Sequence, residues 1–153
     1  VPRAPGYVGG HAPTPTYEKV CSHSTGHAET VRVVFDTALT SAADLVRLFF
    51  EIHDPMQVGG QGNDIGDQYR SQIWTTTPEQ LRDATALRAA YQELLTARGF
   101  GPIQTVISPA PESDSTARFW YAEDYHQQYL FKNPGGYECH ARTGVACPAL
   151  PHE

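Results

Sequence analysis

The groups in this sequence best suited to making and breaking bonds are two late cysteines and four phenolic or acidic side chains upstream of them. Cys139 and Cys147 lie eight residues apart in a stretch that also holds Gly144 and Pro148. That pair fits three readings: half of a metal site, a structural pair, or mobile redox thiols. Zinc knuckles space their cysteines by roughly two to four residues, and the spacing here is too wide. Adding His140 and His152 completes four ligands only by collecting every donor nearby. Two thiols on a stretch without regular structure suit thiol–disulfide exchange, in which each sulfur must travel to its partner. Upstream, Tyr17, Glu29, Asp64 and Tyr69 fall in or beside two long polar loops, at strand ends. Glu29 opens a strand whose following residues alternate toward a core. Partial burial would raise its pKa and leave a protonated donor; the other reading is a solvated carboxylate at a strand end.

Those residues need elements to hold them. Trp120 to Leu130 is the densest run of aromatic and hydrogen-bonding side chains. At helical spacing it puts Tyr121, Tyr125 and Tyr129 on one face, with His126 and Leu130 beside them. The expectation is a helix, backing a polar cleft or packing an aromatic face, that ends at Pro134-Gly135-Gly136 and delivers the cysteine-bearing tail, residues 133–153.

Ahead of it, residues 1–27 are rich in Gly, Pro, Thr and His and read as a long ordered loop. Glu29 to Asp36 reads as a strand with Val31, Val33 and Phe35 on one side. Thr40 or Ser41 caps a helix to about His53 with Leu45, Leu48, Phe49 and Ile52 as its buried stripe. Residues 54–68 form a second polar loop, and Gln68 to Thr76 a second strand. Thr77-Pro78-Glu79-Gln80 starts a helix with Leu81, Ala84, Leu87, Ala90, Tyr91, Leu94 and Leu95 on its core face, ended by Gly99. Ile103 to Ser108 is a third strand. The order β-α-β-α-β-α points to an α+β, two-layer α/β sandwich, a single domain over residues 1–153.

Composition excludes several classes. A net charge of −6 without a Lys/Arg run argues against nucleic acid. No apolar stretch approaches the roughly 20 residues of a membrane span, and no signal-peptide pattern is present. Three cysteines in 153 residues do not make a disulfide scaffold.

The segments Gly6-Tyr7-Val8-Gly9-Gly10, Pro15-Thr16-Tyr17-Glu18-Lys19-Val20-Cys21, Thr25-Gly26-His27-Ala28-Glu29, His53-Asp54-Pro55, Gln61-Gly62-Asn63-Asp64, Gln68-Tyr69-Arg70-Ser71, Tyr121 to Leu130, Lys132-Asn133-Pro134 and Thr143-Gly144-Val145-Ala146-Cys147-Pro148 resemble, in order and over nearly the whole chain, the peptide methionine sulfoxide reductases of type A. The resemblance implies a core like a ferredoxin-like plait. It implies reduction of methionine (S)-sulfoxide, peptide-bound or free, in which a cysteine thiolate attacks sulfur. Tyr17, Tyr69 and a protonated Glu29 match the groups that hold the sulfoxide oxygen, where positioned donors stabilise developing charge. Asp64 matches an aspartate lining the substrate site. Cys147 matches the recycling cysteine and Cys139 a second one, although Glu138 separates Tyr137 from Cys139 where the common pattern has them adjacent. Cys21 matches a non-catalytic cysteine of many relatives.

The same resemblance implies no cofactor and no metal, with thioredoxin or dithiothreitol as reductant. Oxidised proteins or free methionine sulfoxide are the partners, and a cytoplasmic monomer is expected. The family's nucleophile belongs to a Gly-Cys-Phe-Trp motif upstream of the Gly6-Tyr7 segment, and these 153 residues, which begin Val1-Pro2-Arg3 without a methionine, contain no such motif. The expectation is a processed or truncated chain with little turnover as it stands, the rival being a relative that binds sulfoxide peptides without reducing them.

Overall fold

In the computed structural model, which describes residues 2–138 and 141–151, the chain runs β1 (Arg3–Val8), α1 (Tyr17–Cys21), β2 (Ala28–Val33), α2 (Ala42–Ile52), β3 (Gly60–Gln61), β4 (Asp64–Ile65), a 3-10 turn at Asp67–Tyr69, β5 (Gln72–Thr75), α3 (Pro78–Ala97), β6 (Val106–Pro109), β7 (Trp120–Tyr121) and α4 (Tyr129–Lys132). The α+β class follows from this mixture. Strands group as an antiparallel sheet in the order β2-β1-β7, a β3–β4 hairpin and a parallel β5–β6 pair. Among the described residues no ladder joins the three into one plait.

Capping chemistry starts the two long helices where the sequence offers it. Ser41 Oγ accepts from the Asp44 N–H while the Asp44 carboxylate accepts from the Ser41 N–H, a reciprocal capping box. Thr77 Oγ1 accepts from the Gln80 N–H, with Pro78 in the first turn. The two helices pack together, and Phe50, Leu87, Tyr91, Leu95 and Ile103 form the larger core with Val145 and Cys147. A smaller core of Tyr7, Val20 and Ala122, with Trp120 against it, sits under the three-stranded sheet.

Several expectations are corrected. Residues 1–27 are not one loop: Arg3–Val8 is the middle strand of its sheet, paired from Arg3↔Val33 to Val8↔Ala28, and Tyr17–Cys21 is helical. Pro5 and Gly6 weaken local strand propensity, but a partner on each side supplies what propensity lacks. β2 ends at Val33, and Val31 and Val33 are exposed. Tyr69 belongs to the 3-10 turn, so the second strand begins at Gln72.

The aromatic run is not a helix. Trp120–Tyr121 pairs with Gly6 and Tyr7, turns follow, Gln128 adopts φ 53°, and only Tyr129–Lys132 is helical. Its side chains bond across the molecule instead: Gln127 Nε2 donates to the Pro5 and Ala122 carbonyls, and the Glu123 carboxylate is claimed by β1 and α1. Tyr121, Tyr125 and Tyr129 are exposed. Gly9 shows how close the packing is at the end of β1. At φ +87° its Cα lies where a Cβ would stand 2.5 Å from the Trp74 ring, so neither the backbone nor the space admits a side chain.

On α2, the buried residue is Phe50, with Ala43, Val46 and Phe49 half-covered, whereas Leu48 and Ile52 are exposed. Phe50→Ala should therefore cost about 3–5 kcal/mol, while Leu48→Ala should stay within about 0.5 kcal/mol of the parent. Urea unfolding of the two variants checks this, and the reverse ranking would restore the stripe read from periodicity.

Candidate functional site

The site is assembled from loops braced by side-chain bonds to backbone. His27 is buried, its Nδ1 accepting from the Gly10 N–H at 3.1 Å and its Nε2 facing the Ala12 carbonyl at 2.8 Å, which assigns the neutral Nε2–H tautomer. It pins the chain between β1 and α1 beside the start of β2. Arg70 donates to the Gly26 and Asp67 carbonyls at 3.0 Å each, tying the Asp67–Tyr69 turn to the strand that carries Glu29. Asp64 is held by a knitted loop: the Gln61 amide spans the Asp54 N–H and carbonyl, and the Gln57 amide does the same for Gly62.

This bracing brings Tyr17, Glu29, Asp64 and Tyr69 within electrostatic range of one another. Tyr17 has its pKa raised, first by the Cys21 thiol within hydrogen-bonding reach, then by that thiol's charge, burial and Glu29, with Tyr69 acting in the opposite sense. Tyr69 is pushed up by burial, Glu29, Cys21, Tyr17 and Asp64. Both phenols are therefore protonated donors at neutral pH. The Glu29 side chain is exposed at the second position of β2, next to buried Ala28. Crowding first, then repulsion from Asp64 and Glu123, pushes its carboxyl from 4.5 up to about 7. The upward shift goes with the protonated-donor reading of Glu29, and its exposure on β2 goes with the solvated one.

Glu123, His126 and Tyr137, to which the sequence reading gave no site role, lie against these residues. Glu123 accepts from the Tyr7 hydroxyl at 2.8 Å and from the Tyr17 N–H at 2.7 Å. Burial raises its pKa, but bonds from the Tyr17 N–H, its own N–H and Tyr7 outweigh this and the net shift is downward. The His126 ring packs at a tilt against Tyr17, centroids 4.8 Å apart, and against Tyr125, at 4.3 Å. Tyr137 donates to Asp64 Oδ2 at 3.2 Å. Glu123 and His126 lie inside the aromatic run, and a helical reading of that run hides their inward direction.

The tail cysteines divide. Cys139, and with it His140 and His152, lies outside the described residues. Cys147 is not on a swinging arm: it is 1% exposed, part of the α2–α3 core, and burial followed by the Glu51 carboxylate raises its thiol to about 11. It is a poor thiolate in this position. Among the described residues, no set of three or more His, Cys, Asp or Glu side chains is placed to hold a metal ion, and no helix is long and apolar enough to cross a membrane.

The family profile described as Peptide methionine sulfoxide reductase matches residues 2–150. The chain belongs to the peptide methionine sulfoxide reductase family. It is 56% identical over 146 residues to the peptide methionine sulfoxide reductase MsrA of Azorhizobium caulinodans, a match covering 95% of this chain and 64% of that relative. Its fold superposes on methionine sulfoxide reductase A of Corynebacterium diphtheriae with a TM-score of 0.82 at 42% identity, covering 99% of this chain and 72% of the other. It superposes on reduced Mxr1 of Saccharomyces cerevisiae with a TM-score of 0.78 at 32% identity, covering 92% and 75%. The chain thus spans somewhat less than two thirds of the length of the MsrA relative. Within this reductase fold, the α+β architecture expected from the sequence stands.

The raised Glu29 makes a linkage prediction. A carboxyl whose folded pKa, about 7, exceeds its ordinary 4.5 stabilises the fold in its protonated form. That contribution is complete below about 4.5 and is lost as pH rises through about 7. Relative to Glu29→Gln, the parent protein should lose stability between pH 5 and pH 8, as read by urea midpoints. Parallel pH profiles would mean an ordinary, solvated carboxylate.

Proposed function

We propose that this chain carries the sulfoxide-holding half of a methionine (S)-sulfoxide reductase site, acting on oxidised methionine in peptides or free. The observation that carries the reading is the convergence of two phenols, Tyr17 and Tyr69, on a Glu29 carboxyl whose pKa is raised to about 7. A sulfoxide oxygen is an acceptor only, and it gains negative charge as a nucleophile adds to sulfur. Three protonated oxygen donors within electrostatic range of one another suit that change, and donors fixed in advance need no reorganisation during reaction. Asp64 and Glu123 act on Glu29 through charge, keeping its proton in place.

In balanced form, a thiolate adds to the sulfoxide sulfur and a proton from Glu29 passes to oxygen. The S–O oxygen then moves to the attacking sulfur as a sulfenic acid, and the thioether leaves. A second thiol condenses with the sulfenic acid, forming S–S and releasing water. In this reading Cys147 and Cys139 are the recycling thiols, and thioredoxin, or dithiothreitol in its place, reduces the disulfide. The attacking thiol is that of the family's Gly-Cys-Phe-Trp motif. A monomer in the cytoplasm, where thiols are kept reduced, completes the reading. Support comes from the family membership and from the donor geometry; no observation favours a module that binds sulfoxides without reducing them.

The test uses a protein carrying the Gly-Cys-Phe-Trp segment joined to this chain, with dithiothreitol and the separate S and R epimers of a blocked methionine sulfoxide. The S epimer should be reduced and the R epimer spared. Glu29→Ala should lower kcat by about 10²–10³, and Glu29→Gln, which still donates, should lose less. Equal rates on both epimers, or no effect of Glu29→Ala, would overturn the reading.

A further inference from the structure

The β3–β4 hairpin carries Asp64 to the site but has no apolar anchor of its own. Its strands, Gly60–Gln61 and Asp64–Ile65, pair over two residues each. Val58 and Ile65, the aliphatic side chains at its ends, are 77% and 67% exposed, and neither joins a core. A lone two-stranded ribbon is marginally stable at best in water, so its position must be fixed from outside.

The segment just before it is the firm part. His53 ends α2, its Nδ1 donating to the Phe49 carbonyl and its Nε2 accepting from the Ser71 hydroxyl at 2.7 Å. With its proton used there, Ser71 accepts from the Thr105 hydroxyl at 2.7 Å. The Pro55 carbonyl accepts from the Gln104 N–H at 2.7 Å, and Asp54 Oδ1 accepts from the Met56 N–H at 2.9 Å. Residues 53–56 are thus bolted to the chain entering β5 and β6.

Two carboxamides join the hairpin to that frame, each presenting the donor and acceptor of a peptide group. Gln61 Oε1 accepts from the Asp54 N–H at 3.1 Å, and Gln61 Nε2 donates to the Asp54 carbonyl at 2.7 Å. In the other direction, Gln57 Oε1 accepts from the Gly62 N–H at 2.6 Å, and Gln57 Nε2 donates to the Gly62 carbonyl at 3.1 Å. Gly60 leaves room for this crossing. A Cβ there would stand 2.6 Å from the Asp64 carbonyl oxygen and 3.2 Å from Gln57 Nε2. Gln61 is also the strand partner of Asp64, so the amide that grips the frame sits directly across from the carboxylate.

We propose that Gln57 and Gln61 are positioning residues: their carboxamides fix where the Asp64 carboxylate stands in the site, and with it the negative charge that Glu29 and a bound sulfoxide meet. The inference rests on the reading of Asp64 as part of the sulfoxide site, and deepens it. After burial, the Asp64 carboxylate is the strongest influence holding the proton on Glu29, so the Glu29 carboxyl reports where Asp64 stands.

The test is a carbon-13 titration of the Glu29 carboxyl in the parent protein, Gln61→Ala, Asp64→Asn and the double variant. The parent midpoint should lie near 7, and Asp64→Asn should lower it by about one pH unit. Gln61→Ala should lower it too, although Asp64 itself is unchanged. The double variant should match Asp64→Asn alone, because the placement of an uncharged side chain has no charge to move. Gln57→Ala should act in the same direction as Gln61→Ala. All these variants should unfold close to the parent in urea, since no core side chain is touched.

A parent midpoint near 7 that Gln61→Ala and Gln57→Ala leave unmoved would overturn the positioning role while the site reading stands. So would an equal drop from Gln61→Ala in the parent and in the Asp64→Asn background, since the effect would then bypass Asp64. Loss of the fold in Gln61→Ala would also overturn it, the hairpin being then part of the core. A parent midpoint at the ordinary 4.5 would take down the site reading, and this inference with it.

Discussion

One carboxylate joins the parts of this molecule that meet at the site. Glu123 takes the Tyr7 hydroxyl from the middle strand and the Tyr17 N–H from the first helix, elements more than a hundred residues away in sequence. Without that acceptor, the start of α1 would face an unpaired buried hydroxyl and a free N–H, and the Tyr17 ring would lose the fixed point from which it reaches Tyr69. The neighbouring fact follows from charge. Bonds that keep Glu123 ionised place a negative charge near Glu29 and help keep that carboxyl protonated. Two carboxyl groups are thus driven to opposite protonation states by their surroundings, a general way of separating a fixed charge from a proton donor.

How legible was this in the sequence? The capped starts of α2 and α3, and the Ala84, Leu87, Tyr91 and Leu95 stripe, were plain because helix ends and 3.6-residue periodicity are local signals. Tyr17, Glu29, Asp64 and Tyr69 were legible as a set through motif resemblance, and the structure brings them together. Arg3–Val8 was not legible, because Pro5 and Gly6 carry no strand signal and the strand exists through its two partners. The aromatic run misled for the opposite reason. Tyr121, Tyr125 and Tyr129 keep helical spacing, yet Gln127 and Glu123 are committed to distant backbone and phenol groups that a helix would deny them.

The late cysteine shows the same limit. A Gly-containing segment without periodicity reads as mobile, and Cys147 was expected to swing. Its docking depends on Tyr91, Arg47 and Glu51, which lie on two helices far upstream. Mobility and order in such a segment are decided by what the rest of the fold presents to it, so composition alone cannot separate them.

The account stands or falls on the protonation state of Glu29, since a donor set requires its proton near neutrality. The direct measurement is a carbon-13 NMR titration of the Glu29 side-chain carboxyl in the parent protein and in Glu123→Gln. The account predicts a midpoint near 7 in the parent and a lower one in the variant, where the neighbouring charge is gone. Midpoints at the ordinary 4.5 in both proteins would contradict it.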